Sequence, residues 1–443
     1  MINPKSEYGT SSSAEIYARA RAVMPGGCSR NTVLRSPHPL YAARGEGCYL
    51  TDIEGRRRID FANNMAALIH GHAAPAIVAA VTEQLQRGTG YTLATEVEVD
   101  YAEYLCERVP SFDKIRFVNS GTEAVMCALK AARAFTGKPK IAKVEGAYHG
   151  LYDYAEISQT SQPSNWGSAD HPANVPVTFG TPNSAIADVV VIPFNDIERA
   201  IAILDEHSDE LACVLIDLMP HRVGLMPAKS EFVAGLREWT LKHEVLLVLD
   251  EVITLRSRFG GAQEMFELQP DLTAMGKMIG GGFPVGGLAG RDAVMNVLNP
   301  LVEPVLFPHA GTFSANPITM VAGLTAMRAF DQTAVAKLNQ LGDLARTRLT
   351  EAINIAGVPA CVTGAASMFC IHMKETPPSN YREAYVGGKE KTLRQAFLDY
   401  MLDHGILLIN TCTGMLSTPM TSTEIDVLAQ VAVDAFKKIK DKF

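Results

Sequence analysis

Between about residue 76 and residue 325, short apolar runs rich in β-branched residues alternate with stretches of helical spacing. The runs are "IRFVNS", "KIAKVEG", "DVVVIPF", "LACVLIDL" and "VLLVLDEV"; the helical stretches between them include "AVMCALKAARAFTG" and "EFVAGLREWTLKHE". Continuously apolar strands separated by amphipathic helices predict an α/β unit whose sheet is mostly parallel and covered on both faces. Before this unit the pattern differs. A polar start leads into a helix, "SAEIYARARAVM", and "CYLTDIEGRRRIDF" alternates around Glu54-Gly55 as a hairpin does. After it, "GLTAMRAFDQTAVAKLNQLGDLARTRLTEAINIAG" reads as one long helical region leading into a smaller α+β part. Residues 159–184 have no periodicity and exceed a simple connector, so a lid or binding loop is expected, with disorder as the alternative.

A chain of 443 residues, 47% apolar and 20% charged, is a globular protein with two domains, or one large domain and a smaller one. A formal charge of -8 argues against a nucleic-acid or other polyanion binder. The eight cysteines include no CxxC pair and no Cys/His cluster, so no metal site is expected and the thiols read as free, in a reducing compartment. The N-terminus lacks a secretory pattern, and no run approaches the roughly 20 apolar residues that span a bilayer. A cytoplasmic protein without membrane contact is expected.

Candidate chemistry centres on Lys277, which lies between an apolar run and the glycines of "DLTAMGKMIGGGFPVGGLAG". A buried ammonium is costly unless paired or neutralised. Asp250 closes "VLLVLD", at the carboxyl end of an expected central strand, where open α/β sheets bind ligands. By itself it could equally be a helix cap or an ion-pair partner. An amine and a carboxylate at neighbouring strand ends suit pyridoxal 5'-phosphate (PLP), held as a Schiff base by the lysine with the acid at its ring nitrogen. "FVNSGTEAVMCALKAARAF" offers Ser120, Gly121 and Thr122 at a helix start for the phosphate, with plain helix capping as the alternative. Thr312 in "HAGTFSANP" offers another hydroxyl, and Tyr148 and His149 in "EGAYHGLYD" offer rings for stacking or packing. The glycines after Lys277 match neither a dinucleotide-binding loop nor a P-loop.

In this order, "NSGTEA", "YHG", "DEV", "GK" followed by "GGGFPVG", and "GTFSANP" resemble the class III aminotransferases of fold type I. The likeness is closest to the glutamate-1-semialdehyde aminomutase branch, with its β-amino-acid (β-phenylalanine) and D-phenylglycine aminotransferases. It runs from "MPGGCSR" to "TSTEIDVLAQ". It implies a large PLP-binding domain over 76–327 and a smaller α+β domain built from 1–75 and 328–443. It also implies an obligate homodimer with shared active sites. Lys277 would carry the cofactor and move the substrate proton, and Asp250 would pair with the pyridine nitrogen. Val252 and Tyr148 would flank the ring, with His149 beside them. Ser120, Gly121 and Thr122 would hold the phosphate, reached by Thr312 of a neighbouring subunit. Arg30 matches the carboxylate-binding arginine of the β-amino-acid enzymes, and His70 and His72 lie where the family lines its substrate entrance.

The chain also departs from the pattern. Asp217 stands without the adjacent proline of the usual Glu-Pro, and "TLRSR" replaces Thr-Gly-Phe-Arg after "DEV". The 159–184 segment is unlike the aminomutase gating loop, and together these departures argue against tetrapyrrole-precursor synthesis. "LLINTCTGMLSTP" lacks the arginine that some relatives use for a second carboxylate, leaving Arg222, Arg256 or Arg258 as substitutes, or pyruvate as the acceptor. The expected activity is ping-pong transfer of an amino group from a β- or D-type amino acid to a 2-oxo acid. The alternatives are an aminomutase or epimerase, and a non-catalytic PLP-binding homologue.

Overall fold

The computed structural model of the chain describes residues 11–443; part of the expected polar start lies outside the described residues. Seven strands form the main sheet, in the order Lys114–Val118, Gly286–Gly290, Leu272–Gly276, Leu246–Asp250, Leu211–Ile216, Lys140–Val144, Val189–Ile192. Gly286–Gly290 alone runs against its neighbours. The expected mostly parallel sheet is therefore present, with one antiparallel insertion. Its glycines are what let that strand fit: a Cβ on Gly286 would sit 2.0 Å from the Ser120 carbonyl oxygen.

The three central strands are buried along their whole length. Successive residues point to opposite faces, so each strand feeds two cores. Cys213, Leu215, Leu246 and Val248 pack with Val125 and Leu129 of the helix Gly121–Thr136. Val214, Ile216, Leu247 and Leu249 pack on the other face with Leu204, Phe232 and Leu236 of the helices Ile197–Asp205 and Ser230–Lys242. Two-sided burial is why these strands read as unbroken apolar runs.

The chain ends meet in smaller sheets. The hairpin Tyr49–Asp52/Arg57–Asp60 forms as expected, Ala42–Glu46 adds to its outer edge, and Ile406–Leu407 pairs with it in parallel from the far end of the chain. A second sheet joins Cys361–Thr363, Met368–His372 and Thr413–Met415. The long helical region is two helices, Pro317–Ala329 and Gln332–Ala356. Asp331 restarts the second by accepting the Ala334 N–H at 2.8 Å, while Arg108 donates to the Met327 and Phe330 carbonyls that the break leaves free.

Residues 159–184 hold only a bridge between Gly167 and Pro172 and the start of the short helix Asn183–Ala187. They are nonetheless anchored. Arg382 donates to the Trp166, Gly167 and Ser168 carbonyls, lies 5.0 Å from the Trp166 ring centroid, and pairs with Glu145 at 2.9 Å. Among the described residues no helix is long and apolar enough to cross a membrane, and no group of His, Cys, Asp and Glu could hold a metal ion.

Candidate active site

Five parallel strands of the main sheet lead from their carboxyl ends into one cavity of about 420 Å³. Lys277 follows Leu272–Gly276 directly, in a left-handed backbone conformation (φ 50°) that turns the chain sharply off the strand. Asp250 ends the adjacent strand, and Asp217 follows the next one. Ser120, Gly121 and Thr122 come from the far side of the sheet, where Lys114–Val118 gives way to the helix Gly121–Thr136. All six line the cavity, together with Tyr148, His149 and Val252.

Burial lowers the Lys277 amine from its ordinary range, against the opposing pull of Asp250 and Asp217. Asp250 is 5% exposed, and its two oxygens are both engaged. His149 Nδ1 donates to Oδ2 at 2.8 Å and the Val252 N–H donates to Oδ1 at 3.0 Å. Burial lowers His149 too, so the neutral imidazole with its proton on Nδ1 is the favoured form. The His149 ring is thereby tied to the acid and fixes its orientation. The Asp217 carboxyl is pushed well above its usual range, by burial first and by the Asp250 charge second. Burial drives His221 down to about 3, with the Lys277 and Arg222 charges adding to the effect.

Ser120 caps its helix by accepting the Glu123 N–H at 3.1 Å, so the capping alternative holds for its side chain. The first-turn N–H groups and the Thr122 hydroxyl remain for an anion. Gly121 is required by proximity: a Cβ there would sit 2.9 Å from Val252 Cγ1. A desolvated amine, an oriented acid and a helix N-terminus around one cavity fit a phosphorylated pyridine aldehyde. Thr312 is exposed on the turn Gly311–Ser314 and does not line this cavity.

Arg30 stands at the mouth, where the inner cavity meets a second one of about 750 Å³. Its Nη1 donates to Asn64 Oδ1 at 2.6 Å. Asn64 belongs to four successive left-handed residues, Asn63, Asn64, Met65 and Ala66 (φ 45°, 47°, 58° and 73°). Such a backbone costs roughly 1–2 kcal/mol per residue. It is held by Asp60 Oδ1, which accepts the Ala62 and Asn63 N–H groups at 2.9 Å, and by Asn63 Nδ2, which donates to the Met415 carbonyl at 2.6 Å.

A family model described as "Aminotransferase class-III" matches residues 32–439. The chain belongs to the class III aminotransferases. It is a PLP-dependent enzyme with the fold type I architecture of that family. A glutamate-1-semialdehyde 2,1-aminomutase of Methanothermobacter thermautotrophicus is 37% identical over 396 residues, 89% of this chain and 90% of the relative. Among solved structures, an omega-transaminase from Sphaerobacter thermophilus superimposes with a TM-score of 0.95 at 46% identity, covering 99% of this chain and 100% of that one. A beta-phenylalanine aminotransferase from Variovorax paradoxus gives 0.86 at 32%, covering 97% and 94%.

Not every candidate of this class III chain reaches the cavity. Arg256 is fully buried, donates to Ser367 Oγ and the Leu416 carbonyl, and is pulled down to about 9 by burial, so it is unavailable to a second carboxylate. Arg258 lines a separate cavity beside Arg108. His70 is held between Thr418 Oγ1 and the Ala326 carbonyl and does not line the inner cavity. His72 pairs with Asp60 at 2.8 Å on the wall of the second cavity. Asp217 and His221, which the sequence pattern did not place in the site, are in it. For Asp217 a signal existed: "VLIDL" and "VLLVLD" both carry an aspartate at the strand end, and Ile216 pairs with Leu249, which aligns the two acids.

Proposed function

We propose that this enzyme transfers the amino group of a β- or D-type amino acid, with an aromatic or apolar side chain, to a 2-oxo acid in a ping-pong reaction. The observation that carries the reading is the shared cavity of Lys277 and Asp250 with Arg30 at its mouth. PLP supplies an aldehyde for the amine and a ring that accepts electrons. Lys277 would hold that group through its amine, and the same desolvated amine, lowered by burial, would move the proton at the substrate carbon. Asp250, oriented by His149, would keep the ring nitrogen protonated, Val252 and Tyr148 would flank the ring, and Ser120, Gly121 and Thr122 would hold the phosphate.

Arg30 receives the substrate carboxylate through its planar fork. Behind it Val33, Leu40, Leu50, Leu68, Leu402 and Leu407 line the second cavity, an apolar surface suited to the donor's side chain. The similarity to a beta-phenylalanine aminotransferase supports the same donor class. The working unit is a homodimer. Leu93 and Phe313 are 81% and 66% exposed, and Phe313 adjoins Thr312, which would serve the phosphate of a second copy. The enzyme acts in the cytoplasm.

The test is spectroscopic. A β- or D-amino donor alone should convert the yellow holoenzyme to its pyridoxamine form in one half-turnover, and pyruvate or 2-oxoglutarate should restore the colour. Borohydride followed by peptide mapping should label Lys277. A label elsewhere removes Lys277 from its role. The identity to glutamate-1-semialdehyde 2,1-aminomutases favours a second reading, an amino group returned to the same carbon skeleton. That reading requires full turnover with no added 2-oxo acid.

A further inference from the structure

A third cavity, of about 440 Å³, adjoins the inner one: Met65 and His221 line both. Three cations face it, Arg222, Lys391 and Arg394. Its one acidic side chain, Glu390, is already paired with Lys374 at 3.1 Å. Among the described residues none of the three cations has an ion pair or a side-chain hydrogen bond to the protein. Arg222 stands out. It projects from the short turn His221–Val223, and its guanidinium lies 4.8 Å from the ring centroid of Tyr148, itself a wall of the inner cavity. Burial lowers Arg222, and its largest opposing influences are tyrosines, not carboxylates.

A largely buried guanidinium without an anion is an unfavourable arrangement for a protein to maintain. Its five donors, fixed in a plane, match a carboxylate. The neutral imidazole at the junction adds a polar contact without competing charge. No other arginine weighed for a second carboxylate is available, since Arg256 is spent on the fold and Arg258 faces elsewhere.

We propose that this side cavity seats the distal carboxylate of a dicarboxylic 2-oxo acid, with Arg222 as the residue that selects it and Arg394 and Lys391 supplying further positive charge. The acceptor is then of the 2-oxoglutarate class rather than pyruvate. This rests on the aminotransferase reading for the reaction, but not for the binding.

Two measurements test it. With the aminated enzyme, kcat/KM should be higher for 2-oxoglutarate than for pyruvate. That preference should fall at least tenfold in Arg222→Gln, mainly because KM rises for the dicarboxylic acid, with partial recovery in Arg222→Lys. By calorimetry on the holoenzyme, glutarate should bind more tightly than butyrate, and Arg222→Gln should weaken glutarate at least tenfold more than butyrate. A preference unchanged by Arg222→Gln, or no glutarate preference in the unsubstituted enzyme, overturns the assignment. If no 2-oxo acid is aminated yet glutarate binds in an Arg222-dependent way, the carboxylate site stands and the aminotransferase reading falls.

Discussion

His149 Nδ1 lies 2.8 Å from Asp250 Oδ2, and both side chains are buried. The carboxylate therefore keeps one fixed orientation at the strand end, while His149 Nε2 has no hydrogen-bond partner among the described residues. A hydrogen bond to a charged group contributes about 1.5–3 kcal/mol. His149→Ala should lower the rate of the donor half-reaction about ten- to a hundredfold, with Lys277 still labelled by borohydride. His149→Asn, which keeps a donor on a shorter arm, should lose less. Stopped-flow absorbance reads the rates, and a rate within twofold of the unsubstituted enzyme for His149→Ala rules out the orienting role.

Arg30 depends on Asn64 for its position, because the 2.6 Å contact to Oδ1 is the guanidinium's one hydrogen bond to the protein among the described residues. Arg30→Ala should raise KM for carboxylated donors by about a hundredfold and leave simple amines nearly unaffected, in line with loss of a bidentate charged contact. Asn64→Ala should show the same selectivity at about a tenth of the size. Equal effects on acids and amines would take Arg30 out of carboxylate recognition.

Lys143 is fully enclosed, donates to the Val144, Ala147 and Ile157 carbonyls, and is lowered by burial to about 7. Its unfolded value is near 10.5, so between about pH 7 and 10.5 the unfolded chain binds one more proton than the folded one. Stability contributed through this group should rise with pH across that window, by about 1.4 kcal/mol per unit. Urea melts of the unsubstituted protein and Lys143→Met, compared at pH 7 and 9, should show a difference that widens at the higher pH in favour of the lysine. A constant difference would mean that the amine stays charged.

Arg382 ties residues 166–168 to Glu145, and Glu145 is 3% exposed. Arg382→Ala leaves that carboxylate buried without its partner and frees three carbonyls. The 159–184 segment should then be cut faster by protease, with a loss of about 2 kcal/mol in global stability. Unchanged cleavage would show that the remaining contacts, among them Trp166 packed on Tyr381 and Tyr385 and Asn174 donating to the Ile186 and Val189 carbonyls, suffice to hold the segment.

The apolar runs announced the parallel strands because two-sided burial leaves no room for polar residues, and "VLLVLD" ends where the strand ends. The amine, the acid and the helix start that line the cavity were readable for a related reason: each sits at a strand terminus, a position that local pattern can locate. Other members of the site had no such signal. His221 and Asn64 occur in irregular segments, and Asn64 owes its place to a left-handed turn held by Asp60 and by the Met415 carbonyl. Among the arginines, composition could not separate Arg222 from Arg256, since only packing decides which guanidinium meets a cavity and which meets Ser367 and a backbone carbonyl.

By itself the sequence determined the alternation of strands and helices, the PLP cofactor and the family, since these depend on local spacing and on side-chain chemistry. Tertiary structure decided how His149 is used, which arginines face open space, and how Asp217 comes to lie beside Asp250. These are relations between segments far apart in the chain, set by register across strands and by burial, and neither quantity is a property of any one stretch of sequence.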